Sequence, residues 1–131
     1  MPADTRVRSY RDLRVWQKAM ALGVESYRVA KLLPKSETYG LISQIQRAAV
    51  SIPANIAEGH GREHLGDYVR HLSFANGSLM ELETHFLISV ELEYLTRDQI
   101  TQAMSMTAEV GRMLTGLTQK LRGPLTPGTF L

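Results

Sequence analysis

The chain has 131 residues, 44% of them hydrophobic and 21% charged, and a net charge of +2 at pH 7. That is enough for one domain with a real core, and a second domain is not expected. With no cysteine present, disulfides, thiolate metal sites, iron–sulfur clusters and a cysteine nucleophile are excluded.

The first ten residues carry Asp4, Arg6 and Arg8 and no apolar stretch, so they do not read as a secretory signal. Elsewhere apolar residues come in short groups, below the roughly 18 consecutive ones that a membrane-spanning helix needs. A soluble, cytoplasmic protein with no membrane partner is expected. Charge is unevenly spread. Eight basic residues between Met1 and Lys35 face three acidic ones, whereas from His71 onward four basic residues face six acidic ones. This asymmetry suits a basic stripe for an anionic partner, and equally a helix that faces an acidic helix of another subunit.

Residues 1–9 read as a basic extension. A first helix is predicted from Tyr10 to Leu33, capped by Ser9, with Asp12 in its first turn. Leu13, Trp16, Met20, Val24, Tyr27 and Ala30 recur at steps of three and four, which places them on one face, and Pro34 stops the helix. The second is predicted from Glu37 to Glu58 with Ser36 as cap and Leu41, Ile45, Ala48, Ile52 and Ile56 buried. Pro53 should bend it, and Gly59 should end it.

The third, from His64 to Leu92, has Leu65, Tyr68, Leu72, Ala75, Leu79, Leu82 and Phe86 on its core side, with His71 and His85 half-exposed. The fourth begins at Thr96, where Thr96-Arg97-Asp98-Gln99 matches a capping box. It carries Ile100, Ala103, Thr107, Val110, Leu114, Leu117 and Leu121, and ends at Gly123-Pro124. Short connections between long helices give the expected fold: an all-α, antiparallel up-down-up-down four-helix bundle over 10–122, followed by a tail at 123–131. Val15, Leu22, Val29, Ile42, Val50, Phe74, Leu87, Ile88, Val90, Met106 and Met113 lie at or beyond the edges of these stripes, so a homo-oligomer is expected.

No catalytic set can be named. Paired Glu-x-x-His motifs of a bundle metal site are missing, and His60 and His64 span a loop, so neither metal nor cofactor is expected. Serines in the helices read as packing residues, and Gly59-His60-Gly61 lacks the strand that a phosphate-binding loop needs. The chain reads as non-enzymatic. Ser51, Pro53, Asn55, Glu58 and Gly59 form the most unusual segment. Its polar residues either build a site near the bend or bond freed backbone groups and anchor a neighbouring helix.

Here the chain resembles a known family, the four-helix bundle proteins encoded by intervening sequences within bacterial large-subunit ribosomal RNA genes. The residues that carry the likeness are 10–19 (Tyr10 to Ala19), Tyr39-Gly40-Leu41, Gln44 to Ala49, Ser51 to Gly59 and Ala75 to Glu83. The resemblance implies a homopentamer and kinship with the accessory protein of diversity-generating retroelements, whose basic surface contacts nucleic acid and a reverse transcriptase. His64 and Gly66 depart from the Ser or Thr and charged residue that commonly open the third helix, so that corner is expected to differ in shape. Candidate phosphate contacts are Arg11, Arg14, Lys18, Arg47, Arg62 and Arg70, with RNA or DNA as partner. The alternative is a structural or protein-interaction module whose first helix pairs with Glu81, Glu83, Glu91 or Glu93 of a neighbour.

Overall fold

A computed structural model describes residues 6–123 and gives four α-helices: α1 (Arg14–Ala30), α2 (Leu41–His60), α3 (Leu65–Glu91) and α4 (Arg97–Arg122). Residues 1–5 of the extension and 124–131 of the tail lie outside the described residues. α1 packs on α2 and α4, α3 packs on the same two, and the Cα atoms of the diagonal pairs stay more than 8 Å apart. With connections this short, that neighbour pattern is the expected up-down-up-down bundle.

Both ends of α4 form as their residues dictate. The Gln99 amide donates to Thr96 Oγ1 at 3.2 Å while the Thr96 amide donates to Gln99 Oε1 at 2.9 Å, the reciprocal capping box. Gly123 ends it with φ +74°, where a side chain would be strained. The core stripe is also as expected, with Ile100, Ala103, Thr107, Val110 and Leu114 buried.

The start of the chain differs from expectation. Ser9 does cap, but it caps a 3-10 turn, Tyr10–Asp12; Leu13 is then extended and α1 begins only at Arg14. The inward face of α1 is Val15, Ala19, Leu22, Ser26 and Val29, whereas Met20, Val24 and Tyr27 of the predicted stripe are exposed. Val15, Leu22 and Val29 therefore belong to the core and not to a surplus face. The buried Ser26 hydroxyl donates to the Leu22 carbonyl at 2.7 Å, so the polar atom in this face is satisfied.

In α2 the buried residues are Ile45, Ala48, Ala49, Ile52, Pro53, Ile56 and Gly59, close to expectation. Its start is later than predicted, because Lys35–Glu37 form a separate 3-10 turn and Ser36 caps nothing in α2. Glu37 serves instead, accepting from the Leu41 amide at 2.9 Å. Gly59 does not end α2. It is buried inside the helix, where an added Cβ would stand 2.7 Å from His71 Cβ, so the glycine permits α2 and α3 to approach closely. At the start of α3, Leu65 is exposed, while Leu72, Ala75, Leu79, Leu82 and Phe86 are buried as predicted.

Candidate functional site

Two groups of polar residues stand out, one between α2 and α3 and one at an end of the bundle. The first grows from the segment around Pro53. The Asn55 side-chain amide donates to the Ser51 carbonyl at 2.9 Å and to Ser51 Oγ at 3.0 Å. That leaves Asn55 Oδ1 to accept from His71 Nδ1 of α3 at 3.2 Å, which assigns the proton to Nδ1. Ser51 Oγ also lies 2.8 Å from Ser78 Oγ of α3, in a bond that either hydroxyl can donate.

The chain Ser78–Ser51–Asn55–His71 is thus a polar clamp across the α2–α3 interface. Glu58 Oε2 lies 4.0 Å from His71 Nδ1, too far for a hydrogen bond, and its Oε1 pairs with Arg62 at 2.6 Å. Of the two readings of this segment, anchorage of a neighbouring helix is the one that the geometry fits. His71 is buried, not half-exposed, because the clamp satisfies its ring nitrogen. His71 and Ser78 were missed in the sequence. They follow the edge of the α3 stripe in the spacing 71, 75, 78, 82, the one signal that marked them as facing a helix.

Beside the clamp, Tyr68 packs against Gly59 and edge-on to the His60 ring at 5.7 Å. Its hydroxyl is buried with no hydrogen-bond partner among the described residues, and burial pushes its pKa up. His60 is the last residue of α2 and His64 precedes α3 without capping it. Among the described residues, no three histidine, aspartate or glutamate side chains converge as a metal site would require.

The second group follows from topology. Antiparallel packing brings the start of α1, the α2–α3 connection and the end of α4 to one end of the bundle. Arg11, Arg14, Arg62, Lys120 and Arg122 are exposed there. The acidic residues at this end are Asp12, Glu58, Glu63 and Asp67, the last in the first turn of α3. The Asp12 carboxylate is occupied by the Arg8 and Ser9 amides at 2.9 and 3.3 Å.

Of the six predicted phosphate contacts, three are ion-paired: Lys18 with Glu109 at 3.4 Å, Arg62 with Glu58, and Arg70 with Asp67 at 3.6 Å. Arg14 and Arg47 make no ion pair among the described residues, and the Arg11 guanidinium lies 5.8 Å over the Tyr10 ring. Arg11, Arg14 and Arg62 share the basic end. Arg47 does not: it is some 13 residues from the end of α2, about 20 Å along the axis, where it lines a groove with Ser51, Ser78 and Glu81. Sequence reasoning passed over Lys120 and Arg122, whose place beside Arg11 depends on how the bundle folds back.

An all-helical antiparallel bundle held by one apolar core, with a polar clamp and a basic end, defines the class of this protein. The chain belongs to the family described as 23S rRNA-intervening sequence proteins, whose family model matches residues 11–116. Its fold is also that of a crystal structure from Bacteroides thetaiotaomicron, a protein with unknown function from the S23 ribosomal protein family. The two share 24% sequence identity over 80% of this chain and 98% of that one, with a TM-score of 0.74. No curated protein matches the chain. Among the described residues, no helix is long and apolar enough to cross a membrane.

Proposed function

We propose that this chain is a non-enzymatic, oligomeric accessory protein of the cytoplasm that binds RNA or DNA through phosphate contacts at the basic end of its bundle. The observation that carries this reading is the convergence of Arg11, Arg14, Arg62, Lys120 and Arg122, from three separate stretches of sequence, on one end. Arginine and lysine neutralise phosphates and release counterions without reading sequence. The pairing of Lys18, Arg62 and Arg70 is a weak obstacle. Exposed ion pairs contribute about 0–1 kcal/mol, so a phosphate replaces the carboxylate at little cost.

The family description names 23S rRNA, which makes structured RNA the first probe. A homopentamer, and a protein partner such as a reverse transcriptase, extend the reading by the likeness to the retroelement accessory protein. Fluorescence anisotropy with a structured RNA tests it. Affinity falls at least about tenfold between 50 and 200 mM salt if a few phosphates are contacted. No binding at low salt, or a flat salt response, overturns the reading.

A second reading, a protein-interaction module without nucleic acid, is favoured by a different feature. An apolar groove of about 630 Å³ lies open between α1 and α2, lined by Met20, Val24, Tyr27, Val50 and Pro53. Pull-down with the products of neighbouring genes, followed by the same anisotropy measurement, separates the two.

A further inference from the structure

We infer that the groove between α1 and α2 receives the outer ridge of α3 from a second copy of this chain, so that copies join head to tail. The inference rests on the oligomeric part of the proposed function and adds which faces meet. Val24, at the centre of the groove's α1 wall, is 72% exposed, and Met20 and Tyr27 flank it at helical spacing. Val50 and Pro53 form the α2 wall. Of the charged residues that line this groove, Arg28 is paired with Glu25 one turn earlier, and Lys31 makes no ion pair among the described residues.

The complementary surface is on α3. Met80, Leu87 and Ile88 are exposed there, and Glu81 and Glu91 share that outer face at steps of three, four and seven. The stretch from His71 to Thr96 holds four glutamates and no lysine or arginine. An apolar groove edged by Lys31 is therefore matched, elsewhere on the same molecule, by an apolar ridge with an acidic rim. A ridge of one helix seated between two others is ordinary helix-in-groove packing.

One chain cannot satisfy both surfaces itself, because α1 and α3 stand on opposite corners of the bundle. Each copy that donates its ridge still presents an empty groove. Such a heterologous contact adds subunits until rotation closes a ring. Burial of these side chains supplies the attraction, at about 25 cal/mol per Å² of apolar surface, and the opposed charges fix the register.

The test uses the full-length protein and two variants, Val24→Glu and Ile88→Asp, both at exposed helical positions. Light scattering coupled to size exclusion reads the mass. The wild type is a multimer of the 14.7 kDa chain, and each variant alone is a monomer with unchanged helical circular dichroism. An equimolar mixture of the two is a dimer, because the intact groove of one accepts the intact ridge of the other while the second junction sets two acids together. If the wild type is multimeric and either variant keeps its mass, or the mixture stays monomeric, these faces do not meet and the inference falls while oligomerisation stands. A monomeric wild type overturns both.

Discussion

Gly59 and Glu93 show how the same backbone chemistry is read well or badly in a sequence. A glycine at the end of an apolar run suggests a helix stop, yet Gly59 is needed for space. A Cβ there meets His71 Cβ at 2.7 Å and Tyr68 at 3.2 Å, and the former atom is fixed by the α3 backbone. Gly59→Ala must push α2 from α3 and is expected to lower stability by about 1–3 kcal/mol despite its better helix propensity, as measured by urea unfolding. A gain in stability would show that the two helices separate without cost.

The left-handed stop that a glycine usually supplies is at Glu93 instead, with φ +64°. There the Tyr94 amide donates to the Ser89 carbonyl at 3.0 Å and the Glu93 amide to the Val90 carbonyl at 2.9 Å, the Schellman pattern of a helix end. Glu93→Gly relieves the strain of that conformation, and a gain of about 1 kcal/mol in the urea midpoint analysis is expected. Neither position was legible, because one depends on how near a second helix comes and the other on a conformation that the residue type disfavours.

At the scale of the element, α1 is the instructive helix. It carries two stripes at helical spacing: Leu13, Trp16, Met20, Val24, Tyr27 and Ala30, of which Ala30 is buried and Leu13 and Trp16 are partly so, and Val15, Ala19, Leu22, Ser26 and Val29. Periodicity locates a helix but cannot choose between two such faces, and size favoured the wrong one. The inward stripe contains the small Ala19 and Ser26, which suits a helix packed closely between α2 and α4. Leu22→Ala is expected to cost about 2–5 kcal/mol, whereas Val24→Ala stays within about 0.5 kcal/mol of the wild-type chain's subunit stability. Chemical denaturation at a concentration low enough to keep the chain monomeric compares them, and the reverse order would place the larger stripe inside.

The same helix carries the one acidic group among the described residues whose pKa is lowered. Arg28 donates two hydrogen bonds to the Glu25 carboxylate one turn earlier, and these hold it below its usual range, with burial opposing. A carboxyl with a depressed folded-state pKa adds stability that is fully present above the unfolded value of about 4.3. That stability is lost as pH falls through the folded value. Stability of Glu25→Gln should therefore decline less steeply than wild type on acidification below about pH 5, and coincident slopes would show that the pair contributes nothing.

At the scale of the molecule, four helices with their order and direction follow from periodicity, capping at Thr96 and short connections, all local signals. The basic end is not local. Arg11 and Arg14 are legible as a cluster, but Lys120 and Arg122 join them only because α4 returns antiparallel to α1, and Arg47 leaves the group because α2 carries it about 20 Å away. This difference gives the nucleic-acid reading a sharp consequence. Each lost phosphate contact reduces the slope of log affinity against log salt by about 0.9 on duplex DNA and about 0.7 on single strands. The double substitution Arg11→Ala, Arg14→Ala should then reduce the slope by about 1.4–1.8, and Lys120→Ala by a further unit or slightly less. Lys35→Ala and Arg97→Ala, at the opposite end, should leave the slope unchanged while removing the same formal charge. Equal losses from both ends would mean that the protein's net charge draws the nucleic acid and that no end of the bundle is a binding surface.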